Sequence, residues 1–221
     1  MTPKQPHEEL AHIRGLMDRS TRFLSLSGLS GVIAGVIALV GAFLANDYMA
    51  VNLAVHDFPL SYGEDESIKE DSMVHLTVLG GIACTVLVLA VAGALWFTLR
   101  RSKRIGQSLW DASARRMAIN LALPLAAGGV FCLALIWHGL PGLVAPATLL
   151  FYGLALLNAS KYTLDEIRWL GLSEVVLGLA ASFWVGAGLL FWALGFGVLH
   201  IFYGSLMYLR HERGTPSTDE A

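Results

Sequence analysis

Phe23-Leu-Ser-Leu-Ser-Gly-Leu-Ser-Gly-Val-Ile-Ala-Gly-Val-Ile-Ala-Leu-Val-Gly-Ala-Phe-Leu-Ala45 is a run of 23 residues without a charge. A helix needs roughly 20 mostly apolar residues to cross the hydrocarbon core of a bilayer, so residues 23–45 read as one membrane span. Downstream, residues 72–99 carry no formal charge, residues 117–160 carry none, and residues 169–209 carry one acid, Glu174. The last two runs are each long enough for two helices. Each is broken where Gly and Pro interrupt helix readily, at His138-Gly-Leu-Pro-Gly142 and near Gly186-Ala-Gly188. The expectation is an all-α, polytopic membrane protein with six transmembrane helices arranged as three hairpins. The expected spans are about 23–45, 73–99, 117–137, 143–160, 166–184 and 189–209, forming a membrane domain over 23–210.

Composition agrees. Of 221 residues 55% are hydrophobic and 14% are charged, against about 25% charged in a soluble domain. So few charges exclude an ordinary soluble enzyme or a disordered regulator. The runs do not alternate as the strands of a β-barrel must. A net charge of −2 gives no reason to invoke nucleic acid. Cys84 and Cys132 fall in different spans and read as small packing residues, not as a disulfide or a metal pair.

Orientation follows from the basic residues, which favour cytoplasmic loops. All but Lys69 of the 15 Lys and Arg fall in the N-terminal segment, the loops after spans two and four, and the tail. The loop after span one holds Lys69 against seven acids, Asp47, Asp57, Glu64, Asp65, Glu66, Glu70 and Asp71. Both termini are therefore expected in the cytoplasm, with the protein in the bacterial inner membrane and the bilayer as its first partner.

Residues 1–22 form a charged leader in which 7–22 read as an amphipathic interfacial helix, with Leu10, Ile13 and Met17 on one face. It is a topological anchor or a docking site for a cytoplasmic partner. Arg100 to Arg104 reads as a stop-transfer cluster, with lipid headgroup binding as the lesser alternative. Residues 211–221 form a cytoplasmic tail. His56, Asp57, His75 and His138 gather toward the outer side but lack the close spacing of a metal site, so no metal is expected. His200 lies near mid-span. It could ligate haem, relay a proton or pack as a neutral ring; haem would need a second histidine facing it, and His75 lies at the wrong depth. No cofactor is expected.

A repeat runs beneath the hairpins. Arg22-Phe-Leu-Ser-Leu-Ser-Gly28 resembles Arg168-Trp-Leu-Gly-Leu-Ser-Glu174, with Arg116-Met-Ala-Ile-Asn120 a looser copy. Phe151-Tyr-Gly153 matches Phe202-Tyr-Gly204, with Val91-Ala-Gly93 a faint third. Parallel repeats of this kind place a site where they meet in many transporters. Ser27, Asn120 and Glu174 lie five, four and six residues beyond their boundary arginines, a depth of about 6 to 9 Å at 1.5 Å per residue. The three are expected to share a polar layer on the inner side. Pro124 has no N–H to donate and frees the carbonyl of Asn120, which must then find protein or water.

Glu174 is the most informative residue, because a charge inside a span is expensive and tends to have a use. It is a candidate proton or cation site. The structural alternatives are a snorkelling acid or a hydrogen bond to Asn120 or Tyr203. Candidate cavity residues are thus Glu174, Asn120, Ser27, His200 and Tyr203. Ser27, Gly31 and Gly35 follow the small-xxx-small spacing of close helix contact, and Thr163 to Glu166 reads as a capping box before span five.

The stretches Phe151-Tyr-Gly-Leu-Ala-Leu-Leu-Asn-Ala-Ser-Lys-Tyr-Thr-Leu and Leu190-Phe-Trp-Ala-Leu-Gly-Phe-Gly-Val-Leu-His-Ile-Phe-Tyr-Gly resemble a family of uncharacterised six-span bacterial membrane proteins, as does the region from Glu8-Glu-Leu to Ser27-Gly-Leu-Ser-Gly. The resemblance covers nearly the whole chain. It implies fold and compartment and carries no activity, cofactor or site residue. No catalytic motif stands out, so an enzyme is not expected. The expected function is a small transporter-like protein with a polar cavity on the cytoplasmic side, binding an unknown small molecule. The alternative is a membrane-embedded accessory or sensor protein that binds a partner protein through its leader and basic loop.

Overall fold

The computed structural model describes residues 26–52, 66–106 and 110–213, with the backbone alone at 66–73 and at 105. The leader and most of the loop after the first helix lie outside the described residues. Every regular element among those described is helical. In chain order they are α1 (Gly28–Asn52), α2 (Glu66–Ile105), α3 (Ala112–Trp137), α4 (Val144–Ala159) and α5 (Asp165–Phe183). The sixth rod comprises α6 (Gly188–Trp192), a π-helical segment (Ala193–Leu199) and α7 (His200–His211).

Five of these rods are long and apolar enough to cross a membrane. Uncharged length alone predicts six. The difference is α5, which is 19 residues long but begins at Asp165 and includes Asp165, Glu166, Arg168 and Glu174. The helices also outrun the apolar segments. The first, expected over 23–45, runs to Asn52; the second, expected over 73–99, spans Glu66–Ile105. Hydropathy marks where a helix is apolar, whereas backbone hydrogen bonding carries it on through polar flanks until a cap or breaker stops it. Leu164 stands at the N-cap of α5 without a side-chain cap, and Glu166 reaches Arg210 at 3.3 Å and His211 at 3.2 Å.

Two backbone crossings organise the bundle. On α7, a Cβ at Gly204 would lie 2.7 Å from both the Gly28 carbonyl oxygen and the Val32 nitrogen of α1. On α4, a Cβ at Gly153 would lie 2.7 Å from both the Gly171 oxygen and the Val175 nitrogen of α5. Reciprocally, Gly28 abuts Gly204 and Tyr208, and Gly171 abuts Gly153 and Leu157. Only glycine lets helix backbones approach this closely. The repeat of Phe-Tyr-Gly at 151–153 and 202–204 is therefore a repeat of helix crossings. The odd-numbered partners correspond as Gly28 with Gly171, three residues away from the match that aligning Arg22 with Arg168 gives.

Gly93 does not make a third crossing. It packs against Ile33 of α1, within its own hairpin. The helices thus follow one another in space as α2, α1, the sixth rod, α5, α4 and α3, and no packed seam joins α2 to α3 among the described residues. Leu156, Leu164, Ile167, Leu170 and Met207 form a core cluster between α4, α5 and α7. Large apolar side chains such as Phe43, Leu87, Leu123, Leu133 and Phe183 stand exposed on the outside.

The carbonyl freed by Pro124 finds protein. Asn158 Nδ2 of α4 donates to the Asn120 oxygen at 2.9 Å, while Asn120 Nδ2 donates to the Arg116 oxygen at 2.8 Å.

Two outcomes are expected from thermal unfolding in detergent. Gly204→Val and Gly171→Val each lower stability by about 1–3 kcal/mol through overpacking, whereas Gly129→Val, whose Cβ meets open space, changes little. Asn158→Ala orphans a carbonyl and lowers stability by about 1–3 kcal/mol. In a Pro124→Ala background most of that loss disappears, because the substituted alanine supplies the N–H that proline lacks; a double-mutant cycle reads the difference.

Candidate functional site

The side chain of Glu174 has no exposure at all. On α5 it belongs to the inward face with Ile167, Leu170, Gly171, Gly178 and Ala181, at the spacing of one helical stripe. Gly195 of the π-helical segment faces it. A Cβ at Gly195 would lie 2.5 Å from Glu174 Oε2 and 2.5 Å from Leu149 Cδ2. The absence of that carbon makes the room in which the carboxyl group sits.

His200, 7% exposed, is the first residue after the π-helical segment. Its Nδ1 lies 3.0 Å from the Gly195 carbonyl oxygen and 3.4 Å from Glu174 Oε1. A carbonyl can only accept, so Nδ1 carries the proton and directs it to Gly195. The carboxyl lies alongside, within ion-pair distance. Neither carboxyl oxygen of Glu174 has a hydrogen-bond partner among the described residues. On the other side of the ring, Tyr152 Oη of α4 lies 2.8 Å from Nε2; with the neutral imidazole, the phenol donates. A wide π turn displaces the backbone by about one residue, and here it sets Gly195 and His200 on one side of the rod, toward Glu174.

Aromatic rings extend the site along one face. Trp192, Phe196 and His200 follow at intervals of four. Trp192 and Phe196 have ring centroids 5.0 Å apart, and Phe196 stacks on His200 at 5.9 Å. Tyr152 completes the cluster, 5.0 Å from Phe196 and 5.4 Å from His200.

The expected polar layer is distributed over separate places. Glu174 and His200 come together. Tyr203 lies near them in the chain but donates to Ser173 Oγ at 3.2 Å, which itself donates to the Trp169 carbonyl. Asn120 serves the α3–α4 contact. Ser27 sits at the start of α1, where its hydroxyl donates to Glu212 at 3.2 Å and the Gly28 N–H donates to the same carboxylate at 2.5 Å. Arg101 of α2 pairs with Glu212 at 2.9 Å, so an acid from the end of α7 caps α1. Depth measured from the boundary arginines misleads because helices do not begin there. Ser27 precedes α1, whereas Glu174 is nine residues into α5, about 13.5 Å along its axis.

The cavity is also placed differently. A cavity of about 780 Å³ is lined by residues including Gly41, Ala45, Ala83, Ala145 and Trp192. It is mainly apolar and lies toward the far ends of α1 and α2 from Ser27 and Arg101, whereas the sequence predicts a polar cavity on the cytoplasmic side. The ends near Ser27 and Arg101 are instead filled by the Leu156–Met207 core and the Arg101–Glu212 pair. Tyr152, Gly195 and the π-helical segment are site elements that sequence reasoning misses. Tyr152 is visible only as part of the repeat, and nothing in the spacing announces that it reaches a histidine 48 positions later.

Chemically, a protonated Glu174 beside a neutral His200 leaves the pair uncharged, loss of that one proton leaves a buried carboxylate beside the Nδ1–H, and Tyr152 holds the imidazole in place. Tyr152→Phe is expected to leave the fold intact and to change the ¹⁵N shift of His200 Nε2, with Nδ1 still protonated. Histidine-labelled NMR, assigned with His200→Gln, reads this; an unchanged Nε2 would show that the phenol does not donate. No family model matches the chain, and no curated protein or solved structure is significantly similar to it.

Proposed function

We propose that this chain is an integral protein of the bacterial inner membrane that crosses it six times with both termini in the cytoplasm. In it, Glu174 and His200 take up and release a proton or a small cation, as the core of a small transporter-like activity. The observation that carries this reading is the fully buried Glu174 carboxyl, unbonded at both oxygens among the described residues and 3.4 Å from a buried imidazole. A carboxyl kept for structure is normally satisfied by donors. An ionisable group held unsatisfied at depth points to use, and π turns recur at functional sites.

The six crossings rest on α5. Its acids Asp165 and Glu166 lie in its first turn, Glu166 is bound to the end of α7, and Glu174 is turned wholly inward, so beyond Arg168 the helix presents outward Trp169, Leu172, Val176, Leu179 and Phe183. Orientation rests on the distribution of Lys and Arg. Outward-facing Phe, Leu, Val and Trp side chains suit a hydrocarbon solvent.

Purified protein in vesicles with an internal pH dye and an imposed potassium diffusion potential tests the site. Wild type is expected to pass protons above the leak of protein-free vesicles. Glu174→Gln returns the flux to that leak, and deletion of residues 1–20 preserves it. Wild-type vesicles no leakier than empty ones, together with loss of cellular function on deleting the leader alone, would replace this reading with the accessory or sensor role.

A further inference from the structure

The apolar cavity lies apart from the Glu174 carboxyl. It runs along α2 from Leu76 to Val86 and along α1 from Gly41 to Ala50, about 15 Å and about 14 Å of helix respectively. That length matches one leaflet of a hydrocarbon core about 30 Å thick. Its walls come from α1, α2, the start of α4 and the turn before α6, with Ile136 of α3 at one margin. Only Ile136 of α3 reaches its wall, and no packed seam joins α2 to α3 among the described residues. The flank of α2 beside it is open, with Leu87, Val88 and Leu89 all more than half exposed.

Polar lining is sparse. Thr148 donates to the Ala145 carbonyl at 2.7 Å, and Asn46 and Trp192 are the other polar side chains of the wall. A wall so sparsely polar offers ordered water few hydrogen-bond partners, and left unfilled the space forfeits dispersion contacts along that wall. Its volume is within the range of about 300–1,000 Å³ typical of small-molecule sites.

We infer that the cavity holds an acyl chain of a membrane phospholipid, entering sideways between α2 and α3 from the leaflet at the outer ends of α1 and α2. The inference rests on the membrane placement proposed above and not on proton transfer at Glu174. The depth of one leaflet, the continuity with the open flank of α2 and the apolar wall all favour an acyl chain over a polar solute. Trp192 forms part of the wall and meets Phe196 in a tilted ring contact, so the chain would contact the ring cluster that leads to His200.

Neighbouring glycines provide a matched test. Gly80 lines the cavity, and a Cβ there meets nothing within 4 Å; Gly81 is equally open but is not part of the wall. Gly80→Phe therefore fills the cavity without a clash at Cβ, and Gly81→Phe adds the same ring elsewhere. The full-length protein is placed in vesicles of phosphatidylethanolamine and phosphatidylglycerol containing a phospholipid with a diazirine in one acyl chain. After irradiation, mass spectrometry locates the adducts. In wild type, adducts are expected on Met49 and Trp192 as well as on outward residues such as Leu133. Gly80→Phe should lower the Met49 and Trp192 adducts about tenfold, equivalent to about 1.4 kcal/mol of lost occupancy, and spare Leu133; Gly81→Phe should spare all three. Gly80→Leu, a smaller plug, should give a partial loss and guards against misfolding of the Phe variant. Adducts on Leu133 without adducts on Met49 and Trp192 in wild type would overturn the lipid site, whatever else fills the space. Equal labelling of the cavity residues in wild type and Gly80→Phe would also overturn it. No adducts anywhere would instead count against the membrane placement, and with it the lipid site.

Discussion

Where α7 crosses α1 and α4 crosses α5, main chain meets main chain with no side chain between them. At both places the approach is one a Cβ would forbid: 2.7 Å from carbonyl oxygen and backbone nitrogen at Gly204, and the same at Gly153. Such crossings fix helix register more firmly than interlocking side chains, because backbones have no rotamers with which to adjust. With α1 locked to α7 and α4 locked to α5, the π-helical segment is left facing Glu174 and Tyr152 is left facing His200. The site is a consequence of these two contacts.

The third hairpin position is different. Gly93 turns to its own partner helix, and α2 and α3 are left without the seam that the other two neighbouring pairs have. A repeat that closes twice and stays open once accounts for both the buried site and the cavity. Polar atoms are enclosed where the crossings are tight, and an apolar space remains where the crossing is missing. The rings of Trp192, Phe196 and His200 connect these two regions along a single helix face.

Charge at the opposite ends of the helices has a structural use. Glu212 accepts from the Gly28 N–H and from Arg101, which satisfies a helix start that has orphan donors and places a negative group at the positive end of its dipole. Glu166 likewise joins the start of α5 to Arg210 and His211. These contacts explain why Ser27, polar and near the start of a helix, belongs to a cap and not to the Glu174 cluster. They also separate Glu174 from Glu166 and Glu212, because among the buried side chains of the described residues it alone lacks a donor at both oxygens.

The helical class, the positions of the breaks near 138–142 and 184–188, and the presence of Glu174 and His200 as ionisable groups inside apolar runs are legible in the amino-acid sequence. Each depends on local chemistry: uncharged length, Gly and Pro, and an ionisable group in an apolar run. The consequence of Pro124 is legible for the same reason, since the missing N–H is fixed by covalent structure; that Asn158 answers it is not. Helix starts escape a reading of hydropathy because hydropathy does not report capping, and the depths of Ser27, Asn120 and Glu174 escape with them. The repeat is visible as Phe-Tyr-Gly, but its partner residues are offset by three, because the crossing is set by which glycines allow contact. The meeting of Glu174 with His200 and Tyr152, the π turn that aims them, and the open seam between α2 and α3 are decided only by tertiary structure. Residues 26, 48 and 22 positions apart in the chain share no local signal, and what joins them is close packing between helices that the glycines permit.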